Sequence, residues 1–368
     1  MRRIDFQNLR ILEVLGIYGP RNITDVARKL GIHRETMRFR VNRMVSRNFV
    51  RFHANIYHTN LGLKKVAVLA EATQGYEDLL FNCLKANSFW LYLCRCYGRF
   101  EGCHAVYAIP KEHTAEFEDF IGQIVELGVA QDIKLFWSTC FHDVPITCKW
   151  FDPESESWTF QWDKWIEEIP RMETKLPYTL IDPDDFVNLA DEVDIFILVK
   201  LEKDATISFK KLAEMLGMTP QGVKYHFQEH IIKRGLIEGF QVTFLPFDPP
   251  ISDMFFFTFN FADRERMAKF AQSLLDKPFV LVLGKILTQN RLLAYLYLPR
   301  KEFRRFVDSL SKLIRNRLLE SYQYVIIDME KTLRQTILHE AFKERSWIYN
   351  HEKFMSRLKE LVESADLR

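Results

Sequence analysis

The feature that most constrains this chain of 368 residues is an internal repeat. Segment 11–31 reads ILEVLGIYGPRNITDVARKLG, and segment 197–217 reads ILVKLEKDATISFKKLAEMLG, with apolar residues matching at one fixed offset. Two later pairs of segments correspond in the same order: 45–51 with 232–238, and 108–125 with 297–314. Two amphipathic helices can resemble each other by chance, but a shared order of several elements indicates a repeated structural unit.

The first unit of each half has the pattern of a winged helix-turn-helix. Leu9, Leu12 and Leu15 form a helical stripe, and a second short helix ends at Gly31, as a glycine C-cap would end it. A third helix follows, and the alternation in residues 49–60, FVRFHANIYHTN, predicts two short strands. We therefore predict a winged helix-turn-helix over residues 1–60, and its repeat over residues 190–248.

The second unit of each half predicts the order βαββαβ of a ferredoxin-like domain. The ranges are 63–143 and 251–335, so the expected fold class is α+β, with two winged helix-turn-helix domains alternating with two ferredoxin-like domains. Residues 144–185 form an acidic connecting segment rich in aromatic residues, which we expect to pack along a domain because free linkers are poor in such residues. Residues 336–368 predict a C-terminal helix.

The third helix of the first unit carries the strongest charge signal. Residues 1–60 contain twelve Lys and Arg side chains against four Asp and Glu, an excess typical of a polyanion-binding domain. Arginine suits phosphate contacts and bidentate recognition of guanine, and a helix can enter the major groove of DNA. We therefore predict contacts with double-stranded DNA from five side chains: Arg34, Thr36, Arg38, Arg40 and Arg43.

The corresponding helix of the second unit begins at Thr219-Pro220, a good pair for an N-cap and first turn. Its outward positions are Gln221, Lys224, Tyr225 and Gln228, in a region where acidic side chains slightly outnumber basic ones. Two interpretations stay open. Either this helix also reads bases, through glutamine and lysine, or it is a former reader that is kept for packing.

Several classes of protein are excluded or disfavoured by the sequence. The chain has no run of about 18 uncharged apolar residues, so we expect no membrane span, and charges interrupt the N-terminal apolar pattern, unlike in a signal peptide. The six cysteines lack the framework of a small secreted domain, which favours reduced thiols in the cytoplasm. Because no nucleotide-binding loop, nucleophile elbow or zinc-protease motif occurs, we predict that the chain is not an enzyme and needs no cofactor.

The best candidate for a metal site is the group Cys94, Cys96, Cys103 and His104. Cys94 and Cys96 share a face of a predicted strand, and a neighbouring strand would bring Cys103 alongside. Zinc ligands usually stand in C-x₂₋₄-C pairs on turns, so buried free thiols are the favoured interpretation and no metal site is predicted.

The order of these features resembles a known family. After the helix-turn-helix come Leu61-Gly62, the βαββαβ pattern, a loop of residues 97–101 and Gly128-Val129 before the last strand. This order resembles the Lrp/AsnC family of bacterial and archaeal regulators, well over residues 5–140 and more weakly over 194–335, where Phe247-Asp248 replaces Leu-Gly.

The resemblance implies operator binding by the helix-turn-helix and sheet-to-sheet pairing of the α/β domains. It also implies a small effector, commonly an amino acid, near the loop formed by Gly98, Arg99, Phe100 and Glu101. Chains of the family usually carry one copy of each domain, so this chain looks like a fused dimer. We therefore expect its two α/β domains to pair within the chain, with a homodimer as a further option.

Three functions compete at this point. The leading hypothesis is a transcription regulator that reads operator DNA through its N-terminal helix-turn-helix. The alternative from the enzyme class is a tetrapyrrole-modifying decarboxylase, since some such enzymes resemble Lrp/AsnC chains. The third is an architectural DNA-binding protein, which would bind without sequence preference and with a steep salt dependence.

Overall fold

The computed structural model of the chain describes residues 4–47 and 50–366. Helices and one large antiparallel sheet combine in a mixed α+β fold, which confirms the predicted class. Two helix-turn-helix units alternate with two βαββαβ units along the chain. Arg2 and Arg3 of the basic N-terminal segment, Phe49 of the predicted strands, and Leu367 and Arg368 of the predicted C-terminal helix lie outside the described residues.

The first helix-turn-helix unit is built from three short helices around a leucine core. Its elements are α1 (Phe6–Tyr18), α2 (Ile23–Leu30), α3 (Arg34–Ser46) and β1 (Arg51–Ile56). Asp5 caps α1, since its carboxylate accepts a hydrogen bond from the Asn8 backbone N–H at 2.7 Å. Gly31 ends α2 with φ at 65°, in the left-handed conformation that glycine adopts without strain.

The first α/β unit follows directly. Its elements are β2 (Leu63–Ala72), α4 (Glu77–Ala86), β3 (Trp90–Gly98), β4 (Gly102–Pro110), α5 (Thr114–Glu126) and β5 (Ala130–Ser138). Both helices cover the same face of the strands, and Leu80, Phe117 and Phe120 are completely buried there.

The connecting segment contributes to the core of the second half of the chain. The short strand β6 (His142–Asp143) directly precedes it, and the segment itself contains β7 (Phe151–Asp152), β8 (Ser157–Trp158) and α6 (Trp162–Glu168). Trp165 is completely buried, and its ring stacks on that of Phe306 with centroids 5.9 Å apart. The Trp162 indole N–H donates to the Glu302 carboxylate at 2.9 Å, so its polar atom is satisfied inside the core.

The second half repeats the order of elements. Its helix-turn-helix has α7 (Glu192–Lys203), α8 (Phe209–Leu216), α9 (Pro220–Tyr225), which continues as a π-helix (His226–Ile232), and β9 (Ile237–Thr243). Its α/β unit has β10 (Ser252–Asn260), α10 (Arg264–Leu274), β11 (Val280–Lys285), β12 (Arg291–Pro299), α11 (Arg300–Arg315) and β13 (Ser321–Arg334). The chain continues with β14 (Phe342–Lys343), β15 (Ser346–Trp347) and α12 (His351–Asp366).

The two α/β units share one nine-stranded antiparallel sheet in the order β5-β2-β4-β3-β13-β10-β12-β11-β6. The expected contact between the two sheets within the chain is therefore present, through the β3–β13 pairing. The chain from β5 to β6 also pairs with β11, since Ser138 bridges Ile286 and Thr139 N–H donates to the Lys285 carbonyl at 2.8 Å. The sheet thus closes on itself, with the helices outside and one shared interior.

The wing of each helix-turn-helix differs from the predicted hairpin. The described residues between α3 and β2 form one strand, β1, and then a 3-10 turn at His58–Asn60, where the chain bends into the α/β unit. The partner of β1 is β9, with antiparallel pairs from Arg51–Thr243 to Ile56–Ile237. Each unit therefore gives one strand to a shared two-stranded sheet, which joins the two helix-turn-helix units.

The single C-terminal helix predicted over 336–368 is wrong in its first part. A 3-10 turn and the short β14–β15 hairpin precede α12, which begins only at His351. Glu344 and Arg345 have φ values of 52° and 60°, which form the tight turn of this hairpin. Phe342 and Trp347 pack edge to face across it, so tertiary packing overrides the helical pattern. No helix in the described parts of the chain is long and apolar enough to cross a bilayer.

Candidate active site

A group of polar side chains lies where the β1–β9 sheet meets the closed sheet. The Gln241 amide on β9 donates to the Asp143 carboxylate on β6 at 3.0 Å. The Asn55 amide on β1 donates to the Phe141 carbonyl at 3.2 Å. These bonds tie the helix-turn-helix pair to the segment that closes the sheet, and they place side chains from both halves of the chain around one site.

Glu238 on β9 is a strongly perturbed carboxyl group of this site. Asn55 donates to its Oε2 at 2.8 Å, whereas its Oε1 is buried and has no hydrogen-bond partner among the described residues. Burial raises the pKa of Glu238 to about 8, although the nearby charge of Lys65 opposes this rise. At neutral pH this side chain therefore keeps its proton.

Asp143 and Glu202 have similar properties. Burial raises the pKa of each to about 7, again against the charge of Lys65. Glu202, near the end of α7, accepts a hydrogen bond from the Ile337 backbone N–H at 3.2 Å. Both side chains are half-buried and keep part of their surface accessible. The place where these acids and the two cationic side chains described next lie together is called the candidate cleft.

Two cationic side chains face these acids. Lys65 on β2 is only 6% exposed, its ammonium lies 4.7 Å from the Phe141 ring centre, and its charge acts on Asp143, Glu202 and Glu238. Arg334 at the end of β13 is exposed, yet its charge acts on Asp143. Such a pair can orient the carboxylate of a ligand that enters the cleft.

Three histidines near the cleft are held neutral. Burial lowers the pKa of His142 to about 4, and its Nδ1 hydrogen-bonds the Thr179 hydroxyl at 2.9 Å. Burial also lowers the pKa of His53, whose Nδ1–H donates to the Glu202 carbonyl at 2.8 Å, and that of His58, whose Nε2 is buried without a partner among the described residues. Neutral imidazoles of this kind can accept a proton or ligate a metal carried by a ligand.

No family model and no curated protein matches the sequence. Among solved structures, the siroheme decarboxylase NirDL matches with a TM-score of 0.53 at 14% identity, over 98% of this chain and 99% of that chain. Its co-complex with an iron-uroporphyrin III analogue gives the same TM-score and coverage at 13% identity. An AsnC family transcriptional regulator from Agrobacterium tumefaciens matches over 36% of this chain and 88% of that chain, with a TM-score of 0.30 at 15% identity.

Over 98% of its length, this chain shares its fold with the solved structure of the siroheme decarboxylase NirDL. This finding overturns the prediction that the chain is not an enzyme, because the fold that accounts for both halves, the connecting segment and the C-terminal helix is that of an enzyme. The prediction relied on the lack of short catalytic motifs. A site assembled from distant strands has no such motif.

The DNA-contact residues predicted on α3 do not form one exposed set. Arg34, Thr36, Arg38 and Arg43 are exposed on the decarboxylase-like fold. Arg40 instead contacts the start of α1, with its guanidinium 3.0 Å from the Asn8 side-chain oxygen and 3.4 Å from the Asp5 carboxylate. In the second unit the predicted positions are all exposed: Gln221, Lys224, Tyr225 and Gln228.

The predicted effector loop lies in the β3–β4 hairpin, at the junction of the two sheets. Gly98 has φ at 122° and pairs with Val325 of β13. The Glu101 carboxylate lies 3.1 Å from the Arg95 guanidinium, and Arg99 is exposed. Phe100 packs on the larger core. The effector role of this loop stays a prediction.

The cysteine group does not converge. Cys94 pairs with His104 in the β3–β4 ladder, but Cys103 pairs with Arg95 and so points to the opposite face of the sheet from Cys94 and Cys96. Burial raises the pKa of Cys94 to about 12, which keeps this thiol protonated and unsuited to bind a metal.

Sequence reasoning missed the residues that form the cleft. Lys65, Asp143, Glu202, Glu238 and Arg334 stand on five different elements, far apart in the chain. The available signal was a charged residue inside an apolar strand pattern, as for Lys65 in LKKVAVLA. Without the topology, such a residue cannot be distinguished from one that faces solvent.

Proposed function

We propose that the chain is a decarboxylase that acts on a carboxylated tetrapyrrole such as siroheme, in the cleft formed by Lys65, Asp143, Glu202, Glu238 and Arg334. One observation carries the proposal. Three carboxyl groups with pKa values near neutrality surround Lys65, inside a full-length fold like that of a siroheme decarboxylase. Carboxyl groups of this kind are candidates for acid catalysis at neutral pH.

Decarboxylation requires the protein to supply a proton and to orient the substrate. The bond between the substrate carbon and its carboxylate breaks, CO₂ leaves, and the electron pair left on carbon must be protonated. Glu238 is the proton donor in our proposal, because its pKa of about 8 keeps it protonated and the Asn55 amide, which donates to its Oε2 at 2.8 Å, fixes the carboxyl group. It regains its proton from water after each turnover.

The remaining side chains orient the substrate. Lys65 and Arg334 contact carboxylates that are not removed and fix the macrocycle relative to Glu238. Asp143 and Glu202, with pKa values of about 7, are in part protonated and also hydrogen-bond the substrate. The buried Phe141 ring, whose centre lies 4.7 Å from the Lys65 ammonium, excludes water from one side of the site.

The direct test is turnover of siroheme by the purified chain, with loss of CO₂ followed by mass spectrometry of the tetrapyrrole. We expect Glu238→Gln to reduce the rate by about 100-fold or more, the range for losing a general acid. The matched control is Glu229→Gln, which removes a carboxylate paired with Lys233 at 2.5 Å and outside the cleft. Failure of the wild-type chain to decarboxylate or bind siroheme would reject the proposal.

DNA binding through α3 is a second candidate function, compatible with the first. It is supported by the exposed basic side chains of α3, and by Phe39 beside them, which is 65% exposed.

The recurring order of elements also supports our inference that one module, a helix-turn-helix followed by an α/β unit, was duplicated in tandem.

The test of this second candidate is selection of bound DNA, followed by titration at two salt concentrations. Arg34→Ala/Arg38→Ala should weaken binding at least about tenfold if α3 contacts the groove. Arg357→Ala/Lys359→Ala on the exposed face of α12 removes the same charge and should leave binding unchanged. Equal effects of both pairs would reject a reading role for α3.

A further inference from the structure

A second polar cluster lies outside the cleft, in the second helix-turn-helix unit. Asp191 and Asp194 stand at the N-terminus of α7, and His226 and His230 stand on the π-helix that continues α9. One ligand atom from each side chain lies within 4.8 Å of the ligand atoms of the other three.

The distances between imidazole nitrogens and carboxylate oxygens are similar throughout the cluster. His226 Nδ1 lies 2.8 Å from Asp194 and 3.8 Å from Asp191. His230 Nδ1 lies 3.1 Å from Asp194 and 3.5 Å from Asp191. In a tetrahedral zinc site with bonds of about 2.0–2.1 Å, neighbouring ligand atoms are about 3.3–3.4 Å apart. The four shortest distances, which involve both oxygens of each aspartate, lie on either side of this value, and one atom from each residue fits within 4.8 Å.

The cluster places a carboxylate inside the protein. The Asp194 side chain is completely inaccessible to solvent, and Asp191, His226 and His230 are 25%, 15% and 13% exposed. The Arg234 guanidinium lies beside the cluster, 4.0 Å from Asp194. A divalent cation bound between the two carboxylates would balance their charge at shorter range.

The backbone is arranged to hold the ligands in place. Asp191 and Asp194 each accept a hydrogen bond from the other's backbone N–H, at 2.9 and 3.1 Å, which fixes both carboxylates. The π-helical turn places the two imidazoles side by side, with ring centres 4.5 Å apart. π-Helical turns are rare, and they are found frequently at functional sites.

We propose that Asp191, Asp194, His226 and His230 bind one divalent transition-metal ion of the zinc type, through two nitrogen and two oxygen ligands. Such an ion joins the start of α7 to the end of α9 and so fixes the second helix-turn-helix. The exposed side chains Lys224, Tyr225 and Gln228 lie on the same or the next turn, so metal occupancy controls how this surface is presented. The proposal is independent of decarboxylation.

The test uses the full-length chain after treatment with a chelator. Titration with Co²⁺ should produce the visible absorption of tetrahedral cobalt at one equivalent per chain, and Zn²⁺ should displace it. Elemental analysis should find one zinc per chain, and Zn²⁺ should raise the Tm whereas Mg²⁺ should not. His230→Gln and Asp191→Asn should each weaken Zn²⁺ binding at least about tenfold.

The matched control is His351→Gln, which removes another histidine paired with an aspartate, 3.0 Å from Asp119 on the far α/β unit. It should bind Zn²⁺ like the wild-type chain. Absence of saturable cobalt binding by the wild-type chain would overturn the proposal and leave a hydrogen-bonded His–Asp cluster. Equal affinity in the control and in a folded His230→Gln or Asp191→Asn variant would also overturn it, with folding checked by circular dichroism.

Discussion

At the scale of single residues, Glu238 combines a cost in stability with a proposed role in catalysis. Burial raises its pKa from 4.5 to about 8, so the folded chain holds this proton more tightly than the unfolded chain. The stability contributed by the protonated group is fully present below pH of about 4.5 and is lost as the pH rises through about 8. A carboxyl group that is buried for function thus destabilises the fold at neutral and alkaline pH.

We predict that Glu238→Gln raises the free energy of unfolding at pH 8 by about 1–3 kcal/mol. A tenfold change in proton affinity between the folded and unfolded chains corresponds to about 1.4 kcal/mol, and the total is discounted here because the side chain is partly accessible. Urea unfolding at pH 5 and pH 8 measures the effect, which should be small at the lower pH. A Glu229→Gln control should show no such pH dependence, and a variant less stable than the wild-type chain at pH 8 would contradict the assignment.

Lys65 gives a second prediction at this scale. Its charge lowers the pKa of Asp143, Glu202 and Glu238, so Lys65→Met should raise all three. If decarboxylation is found, we expect kcat/KM at pH 7 to fall at least about tenfold through lost substrate contacts. The alkaline limb of the pH–rate profile should also move up by about one pH unit.

The neighbouring residue Lys64 provides the control for this change. It points to the opposite face of β2, where its ammonium lies 5.4 Å from the Phe186 ring centre. Lys64→Met should leave the pH–rate profile unchanged. A profile that moves equally in both variants would show that the general charge of the protein matters, and not the position of Lys65.

At the scale of elements, replacement of two glycines by alanine is predicted to have opposite effects on the stability of the fold. A Cβ on Gly102 in β4 would lie 2.0 Å from the Ala70 carbonyl oxygen of β2, and backbone cannot move aside without breaking the ladder. Gly102→Ala should therefore cost at least about 3 kcal/mol. Gly122 lies exposed inside α5 with nothing within 4 Å of an added Cβ, so Gly122→Ala should stabilise by about 0.5–1 kcal/mol.

Urea unfolding of the two variants gives a comparison in which the same methyl group is added twice. A similar decrease in the free energy of unfolding for Gly102→Ala and Gly122→Ala would contradict the close approach of β2 and β4. A loss for Gly122→Ala alone would contradict the exposure of α5 at that position.

The elements also explain which predictions succeeded from sequence. The helices of the helix-turn-helix units, the caps at Gly31 and Thr219 and the α+β order are local patterns, and they were predicted. The wing was not, because the partner of β1 is β9 in the other half of the chain. The His-Asp cluster was missed for a similar reason. Asp191 and Asp194 have the spacing of an ordinary helix cap. His226 and His230 are four residues apart, and they become candidate ligands only because the fold places them beside that cap.

At the scale of the whole molecule, the closure of the sheet makes the two halves depend on each other. Strand β6 of the first half pairs with β11 of the second half, and β3 of the first half pairs with β13 of the second. Neither α/β unit therefore has all of its strand partners on its own. The candidate cleft has the same dependence, since Lys65 and Asp143 come from one half and Glu202, Glu238 and Arg334 from the other. We therefore expect the fold and the candidate cleft to be lost together when the two halves of the chain are separated.

We predict that a chain split between Glu154 and Ser155, in an exposed turn, reassembles when both pieces are produced together. Each piece alone should aggregate, because it exposes an unpaired β3 or β13 edge and an apolar interior. Purification through a tag on one piece should recover both in equal amounts. A split between Cys94 and Arg95, inside β3, destroys the strand at the junction and should not reassemble. Soluble, monomeric single pieces would instead mean that each α/β unit folds independently and that the cleft is an interface between finished domains.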